Sequence, residues 1–300
     1  MDVLSDVLDT VRLTSTVFVR TRLRPPWGIG TRVLPHYAFH IVSGGPSLLE
    51  VEGIDPVEVG PGDAVVISPG RTHSIRSGHD AVVRDIREML ADGSLCADPD
   101  GPDQLVCGSF RFDGTQGGAF VATLPPLLHL RSDSPDVAPW VAGTVELLTT
   151  ESSADRPGQS TVMNRLCDAL FVYLLRSHLS AGPGRESSWL RALDDPQIGA
   201  ALNQMHEDPF YAWSVPELAT RVGMSRSAFA ERFTRLVGET PIQYLIKWRV
   251  QKAAAMLRTA RHSVEEIAAR VGYDSVGAFS KAFKRSVGVS PGAYRRSVMS

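Results

Sequence analysis

An internal duplication occupies the last third of the chain and constrains its fold more than any other feature. The stretch Ser214–Gly223 recurs 49 residues later as Ser263–Gly272. The aromatic, glycine and proline positions from Phe229 to Tyr244 recur with a shift of 50, so the second copy has gained one residue. A repeat of this kind predicts two copies of one supersecondary structure.

Each copy carries start and stop signals for three helices. A Ser-x-x-Glu pattern predicts a capping box at the start of the first helix, and a following glycine predicts its end. A second serine then caps a helix whose two phenylalanines, spaced i and i+4, face the core. A glycine ends this helix, and Thr-Pro or Ser-Pro starts the third. These signals are Ser214, Glu217, Gly223, Ser225, Phe229, Phe233, Gly238 and Thr240 in the first copy, and Ser263, Glu266, Gly272, Ser275, Phe279, Phe283, Gly288 and Ser290 in the second.

Two helices joined by a tight glycine turn are typical of the helix-turn-helix motif, whose second helix enters the major groove of DNA. Between the two second helices, Pro241–Arg258 predicts a linking helix of 18 residues, roughly 27 Å long. A rod of this length can hold two recognition helices about one turn of DNA apart, near ~34 Å. The alternative is a plain helical bundle with a duplicated hairpin, which the matching caps in both copies disfavour.

The charges are divided along the chain. Residues 201–300 contain 11 Arg and 4 Lys against 8 acidic residues, whereas residues 1–200 contain 16 Arg and no Lys against 25 acidic residues. A basic part joined to an acidic part indicates that the basic part meets a polyanion. A solvated basic face explains the same numbers, so the charge only supports the interpretation of the duplicated motif.

Several stretches of the duplicated region together resemble the AraC/XylS-type transcription regulators. The resemblance covers both motifs and the linking helix, from about Ser214 to Arg296, and it implies a sequence-specific DNA-binding regulator with double-stranded DNA as its partner. The stretches that carry it are Gly223–Phe229, Tyr244-Leu245, Trp248-Arg249, Gly272–Ser275, Phe279–Lys284 and Gly288–Pro291.

The phenylalanine pairs indicate which side chains would read DNA. If both pairs point inward, the opposite faces of the two second helices point outward, at positions where the family contacts bases or nearby phosphates. Glu231 can accept from a cytosine amino group, and Ala230 or Val276 can contact a thymine methyl group. Gly277 has no side chain, which favours shape readout there, and Arg232 is a further phosphate candidate. The predicted DNA-binding residues are Ser225, Arg226, Ser227, Ala230, Glu231, Thr234, Arg235, Ser275, Val276, Gly277, Ser280, Lys281, Lys284 and Arg285.

The first half of the chain has a different pattern. From about Val17 to Phe120, short apolar runs separated by Gly and Pro predict the strands of a β-sandwich or barrel. Gly62-Asp63 followed by Pro69–His73 resembles the cupin-like sensor domain that many such regulators carry. The expected fold class is α+β multidomain. A cupin-like β-barrel or jelly roll spans 1–130, a helical dimerisation or linker region spans 131–183, and an all-α domain with two helix-turn-helix motifs spans 195–300.

Helical spacing predicts two helices in the middle region, over Ala138–Thr150 and Ser160–Leu179, and Ala181–Gly184 predicts a break after them. The second helix carries an apolar stripe that either forms a dimer interface or packs on the barrel of its own chain. The stripe consists of Val162, Leu166, Ala169, Leu170, Tyr173 and Leu174.

The expected signal is a small organic effector in the mouth of the barrel. The candidate contacts are Trp27, Tyr37, His40 and His73, and ordinary core packing is the alternative for the aromatic residues. His36, His40 and His73 could also converge as metal ligands, with Glu50 as a further candidate. The His-x-His pattern of metal-binding cupins is broken here, so neither a metal nor any other cofactor is expected.

Two cysteines suggest a second kind of signal. Cys96 and Cys107 are separated by 10 residues, which allows them to meet in a disulfide that would act as a redox switch. The acidic residues between them would raise a thiol pKa and slow oxidation. A buried and inert Cys107 is the alternative.

The remaining features exclude several classes of protein. Three cysteines cannot all pair, no apolar run approaches the length of a membrane span, and the N-terminus lacks a secretory signal, so we expect a cytoplasmic protein. No nucleophile elbow, P-loop or dinucleotide fingerprint is present, so we do not expect an enzyme. The competing hypothesis is a metal-dependent cupin enzyme, such as a dioxygenase, with an accessory helical domain. A second copy of the chain and RNA polymerase are further expected partners.

Overall fold

The computed structural model describes residues 2–11, 13–96, 98, 100–112, 124–133, 139–152, 156–180, 189–259 and 261–299. The chain divides into two compact units. One unit consists of Leu13–Arg111 and Pro125–Gly182, and the other of Met1–Arg12, Phe112–Leu124 and Pro183–Ser300. We call them the sheet unit and the helical unit. The expected class, α+β with strands early and helices late in the chain, is confirmed.

Among its described residues, the sheet unit contains two five-stranded sheets. The first has the strand order β1-β9-β3-β6-β10, and the second has the order β5-β4-β7-β2-β8. The strands are β1 (Leu13–Leu23), β2 (Gly28–Thr31), β3 (Tyr37–Ser43), β4 (Ser47–Val51), β5 (Ile54–Val59), β6 (Ala64–Ile67), β7 (His73–Arg76), β8 (Arg84–Asp85), β9 (Asp103–Phe112) and β10 (Leu127–Leu130).

The helices within the described residues belong to both units. They are α1 (Val3–Val11), α2 (Ile86–Ala91), α3 (Pro139–Ser152), α4 (Gln159–Ser180), α5 (Trp189–Asp194), α6 (Pro196–Glu207), α7 (Val215–Arg221), α8 (Arg226–Val237), α9 (Pro241–Arg258), α10 (Val264–Arg270), α11 (Val276–Val287) and α12 (Pro291–Met299). None of them is long and apolar enough to cross a membrane.

Strand β3 lies at the centre of the first sheet, and its first six residues are buried. One of its faces belongs to the main hydrophobic cluster, which includes Ala38, Val42 and Cys107. On its other face the ring of Phe39 lies 4.6 Å from that of Phe110, and Phe110 lies 4.7 Å from Phe171 of α4. Helix α4 therefore covers the outer face of this sheet, and burial on both faces explains why β3 lacks alternating polar residues.

The two predicted helices of the middle region are present as α3 and α4, but the buried face of α4 differs from the predicted one. Val162, Leu166, Ala169 and Tyr173 are exposed or half-buried, and only Leu170 and Leu174 of the predicted stripe lie in the core. The buried face consists of Met163, Cys167, Leu170, Phe171, Leu174 and Leu175. Apolar residues stand on both sides of this helix, so packing against the sheet decides which side is buried. The predicted break at 181–184 lies outside the described residues.

Helix α1 belongs to the helical unit, where it contacts α6 and α9. These helices lie about 200 residues or more further along the chain. Its apolar residues Val3, Leu4, Val7 and Leu8 are buried. Near its C-terminal end, the carbonyl of Thr10 accepts a hydrogen bond of 2.8 Å from Arg258 of α9. The first helix of the chain is thus part of the unit that contains the duplication.

Candidate nucleic-acid interface

The two predicted helix-turn-helix motifs are present, as α7–α8 and α10–α11. The turn is one residue longer in the second motif, as the shift in the duplication predicted. Gly223 and Gly272 have φ of +68° and +78°, a conformation that side chains with a Cβ rarely adopt. Beyond them, the Met224 N–H bonds the Ala219 carbonyl, and the Tyr273 N–H bonds that of Ala268. These helix ends require glycine at both turns.

The recognition helices α8 and α11 begin at the predicted serines. The Ser225 hydroxyl accepts from the Ala228 N–H at 3.3 Å, and the Ser275 hydroxyl accepts from the Ala278 N–H at 3.2 Å. Each cap satisfies one backbone donor of the first helical turn and leaves the others at the helix end. The serines therefore fix where each recognition helix begins.

The helices α7 and α10 begin differently from each other. Ser263 and Glu266 form the complete predicted capping box. Ser214 accepts from the Glu217 N–H, but the Glu217 carboxylate accepts instead from the Tyr211 hydroxyl and from Arg221, each at 3.1 Å. The prediction of a reciprocal box was thus wrong for the first copy, where Glu217 Oε1 is directed to Tyr211 and Arg221 instead.

The phenylalanine pairs fix the rotation of the recognition helices. Phe229 and Phe233 are fully buried with their rings 5.7 Å apart, and Phe279 and Phe283 are fully buried at 5.6 Å. The opposite side of each helix is therefore turned to solvent. Among the predicted DNA-binding residues, the exposed ones are Ser225, Arg226, Ser227, Glu231, Thr234, Arg235, Ser275, Gly277, Lys281, Lys284 and Arg285, and the half-buried ones are Ala230, Val276 and Ser280.

The two outward faces differ in charge. Helix α8 presents Arg226 and Arg235 beside the carboxylate of Glu231, whereas α11 presents Lys281, Lys284 and Arg285 and contains no acidic residue. The outward face of α11 is therefore more positive than that of α8.

Arg232, which the sequence suggested as a phosphate contact, pairs with residues of its own chain. Its Nη2 lies 2.6 Å from the Asp195 carboxylate, and Nη1 donates to the side-chain oxygen of Gln197 at 2.9 Å. Asp195 also caps α6 by accepting from the Gln197 and Ile198 N–H groups. These contacts show that Arg232 ties α8 to α6, and 37 residues separate the ion pair along the chain.

The sheet unit brings two of the predicted sensor histidines together with a cysteine. His40 stands opposite Cys107 in the β3–β9 register, with Nδ1 2.9 Å from Sγ. The ring of His73, from the other sheet, lies 5.1 Å from that of His40. All three side chains are buried. Burial lowers the pKa of His73 to about 4, lowers that of His40 well below its usual value, and raises that of Cys107.

The other sensor candidates lie elsewhere. Trp27 is buried in the main cluster and its Nε1 donates to Asp103 at 2.7 Å, while Tyr37 is buried with its pKa raised by desolvation to about 12. His36 is half-buried, 6.2 Å from the ring of Phe18. In the described part of the chain, no three His, Cys, Asp or Glu side chains are placed to hold a metal ion, so the convergence of His36 with His40 and His73 was wrong. The side chain of Cys96 lies outside the described residues.

An open groove of about 500 Å³ runs over the second sheet. His73 is one of its lining residues, and the ion pair of Arg32 with Asp85 lines it as well. Glu50 also lines it and is ion-paired with Arg76. The groove is also lined by Gly30, Thr31, Val51, Glu52, Thr72, Ser74 and Val83. Sequence reasoning missed it, because strands distant in the chain form it.

Comparisons with known proteins agree with both halves of this description. Residues 2–180 match the family described as Cupin, and residues 218–297 match the family described as Helix-turn-helix domain. A putative AraC-like transcription regulator of Streptomyces lividans is 33% identical over 303 residues, covering 99% of this chain and 98% of that protein. One of Streptomyces antibioticus is 32% identical over 306 residues, covering 100% of both.

Among solved structures, the chain is similar to the DNA-binding domain of AdpA, a global transcriptional factor crystallised in complex with a target DNA. The identity is 39%, the match covers 34% of this chain and 92% of that chain, and the TM-score is 0.33.

Proposed function

The chain belongs to the AraC-like transcription regulators, and we propose that it binds specific duplex DNA by placing α8 and α11 in successive major grooves. The observation that carries the proposal is the pair of solvent-facing helix sides, each fixed by a buried phenylalanine pair and a serine cap. The 18-residue helix α9 joins the two motifs, and its length suits recognition helices about one turn of DNA apart. Phosphate contacts from Arg226, Arg235, Lys284 and Arg285 would set the register, and Glu231 and Lys281 would read bases.

Selection from a pool of random duplexes tests this proposal with the full chain. We expect enrichment of a sequence with two half-sites whose centres are about 10 bp apart. The matched variant is Lys281→Glu/Lys284→Glu, which reverses two exposed charges on α11 and should abolish enrichment without changing the urea unfolding curve. Equal affinity of the wild-type chain for selected and random duplexes would overturn the proposal.

We propose further that a small polar molecule binds the groove over the second sheet and regulates DNA binding. The groove is lined by the charged side chains of Arg32, Glu50 and Asp85 and by Thr72 and Ser74. Its lining also includes His73, which belongs to the buried His40–His73–Cys107 cluster. A charged or polar group of the ligand could replace one partner in the ion pairs that Asp85 and Glu50 form. Trp27 and Tyr37, by contrast, are packed in the core. Glu50→Gln should weaken the response of DNA binding to whichever molecule is found, and an unchanged response would place the effector elsewhere.

The remaining expectations are also proposals. The exposed apolar residues Leu147 of α3 and Val162 of α4 would take part in a homodimer interface, which sedimentation of the full chain tests. RNA polymerase as a partner and a cytoplasmic location follow from the role of a transcription regulator. No observation favours the metal-dependent enzyme, and metal analysis of the purified chain tests it directly, since stoichiometric iron or manganese would revive it.

A further inference from the structure

The segment Asp208–Trp213 joins α6 to α7 and closes on itself as a hydrogen-bonded turn. The Tyr211 N–H donates to the Asp208 carboxylate at 3.1 Å, and the Trp213 Nε1 donates to the Asp208 carbonyl at 2.8 Å. The Trp213 N–H also bonds the Tyr211 carbonyl at 2.7 Å. No such aromatic run precedes the second copy of the duplication, so this segment is not part of the repeat.

This segment is attached to the first helix-turn-helix motif through its aromatic rings. The rings of Tyr211 and Trp213 meet edge to face at 4.6 Å, and the guanidinium of Arg221 in α7 lies 4.6 Å from the ring centre of Trp213. The Tyr211 hydroxyl reaches Glu217, also in α7. Cation–π contact and hydrogen bonding therefore hold the segment on the first motif.

The same segment is attached to the second motif. Phe210 packs against the hydrophobic cluster that contains Ile267, Phe279 and Phe283 of the second motif. The Phe210 carbonyl faces the turn of that motif, where a Cβ at Gly272 would lie 3.5 Å from its oxygen. Consecutive residues of one segment thus touch the first helix of one motif and the core and turn of the other.

Arg249 of the linking helix α9 holds the segment in place. Its Nε donates to the Pro209 carbonyl at 2.6 Å, and its Nη2 donates to the Tyr211 carbonyl at 2.7 Å. Because two donors of one planar group bind two carbonyls that flank Phe210, the position of the Phe210 ring is tied to α9. Lysine, a single ammonium on a flexible stem, would not fix this geometry equally well.

From these contacts we infer that the 208–213 segment, held by Arg249, is a brace that fixes the two motifs relative to each other. The inference rests on the proposed binding of DNA by both motifs. Arg249 and Phe210 are positioning residues in this scheme, because they act on the placement of α8 and α11 rather than on DNA. The brace determines which spacing of half-sites the chain accepts. A shift of 1 bp moves one half-site by about 3.4 Å and roughly 34° around the duplex, which a rigid pair of motifs cannot follow.

The test measures the affinity of the full chain for the selected duplex, for duplexes with 1 bp added or removed between the half-sites, and for a duplex with one half-site only. We expect the wild type to lose about tenfold in affinity when the spacing changes by 1 bp. Arg249→Met keeps most of the side-chain stem and removes both donors. It should bind the native and altered spacings with nearly equal affinity, and Arg249→Lys should recover part of the wild-type preference.

One control variant and one second test variant complete the experiment. Arg270→Met removes the same charge from an exposed position in the second motif, so it should weaken all duplexes alike and preserve the spacing preference. Phe210→Leu loosens the packing without changing charge, and it replaces Arg249→Met if that variant does not unfold cooperatively. A wild-type spacing preference in Arg249→Met, or in Phe210→Leu where Arg249→Met does not unfold cooperatively, overturns the brace. Failure of the wild type to select any DNA would overturn the proposed function instead.

Discussion

Asp6 Oδ2 lies 2.9 Å from His206 Nδ1, joining the first helix of the chain to a residue 200 positions later. The same carboxylate accepts from Lys252, and His206 Nε2 lies 2.7 Å from the Tyr244 hydroxyl. Burial alone would raise the pKa of Asp6, but its bonds with His206 and Lys252 outweigh burial and lower the pKa. A buried charge network, together with apolar contacts, therefore holds α1 on the unit that would bind DNA.

Replacing Asp6 should destabilise the helical unit. Asp6→Asn preserves the shape of the side chain but leaves the Lys252 ammonium without its ion pair. Loss of one partner from a buried pair costs about 3 kcal/mol of unfolding free energy. Urea unfolding at neutral pH, followed by tryptophan fluorescence, measures the change. Asp9→Asn alters an exposed residue of the same helix, and an equal effect of the two substitutions would refute the role of the network.

The buried His73 should make the sheet unit less stable in mild acid. Burial lowers its folded-state pKa to about 4 from the ordinary 6.5, so as the pH falls the unfolded chain takes up a proton first. The stabilisation is complete above the unfolded pKa and is lost as the pH falls towards the folded one. By linkage, this one group removes about 2 kcal/mol between pH 7 and pH 5.

The corresponding measurement is urea unfolding at both pH values in wild type and His73→Leu. The variant should lose about 2 kcal/mol less than wild type over this interval. His79→Leu, at an exposed position, should behave as wild type. If His73→Leu retained the full acid sensitivity, the titration would belong to other groups.

The features that the sequence predicted correctly are local ones. Ser225 caps its helix through a backbone group three residues away, and Phe229 and Phe233 stand one helical turn apart, so short patterns suffice to place them. The whole arrangement then recurs in the second copy, which explains why both motifs and the linking helix were found.

The features that the sequence missed depend on residues far apart in the chain. Arg232 pairs with Asp195, and Asp6 pairs with His206. No periodic pattern in the sequence predicts such pairs. The apolar residues of α4 lie on more than one side, so the contact between Phe110 and Phe171 selects the buried face. The groove over the second sheet depends in the same way on strand pairing.

The thiol of Cys107 should react slowly in the folded chain. A thiolate beside an imidazolium would be reactive, and His40 Nδ1 lies 2.9 Å from this sulfur. Burial nevertheless raises the pKa of Cys107 and lowers that of His40, which favours the neutral thiol and the neutral ring. Since the thiolate is the nucleophile, we expect iodoacetamide at neutral pH to modify Cys107 in unfolded chain much faster than in folded chain. Mass spectrometry reads out both rates, and rapid modification of the folded chain would support redox sensing at this position.

Glu231 and Arg235 lie one helical turn apart on the exposed side of α8, yet they should affect DNA binding in different ways. Glu231 offers a carboxylate acceptor that suits the amino group of cytosine, whereas Arg235 suits a phosphate. Glu231→Ala should therefore relax the preference at one base pair by about 1–3 kcal/mol. Arg235→Ala should weaken selected and random duplexes alike and reduce the salt dependence by roughly one phosphate contact.

Titrations of both variants at several salt concentrations, on the selected duplex and on duplexes with single base changes, separate the two effects. Glu231→Gln provides the matched control, because an amide keeps the size of the side chain and its oxygen acceptor but adds a donor that suits adenine. A base reader should respond to this change with an altered preference at the same base pair. If Glu231→Ala and Glu231→Gln instead changed the affinity for every duplex by one common factor, Glu231 would act through charge alone, and base reading would have to come from other residues of the two faces.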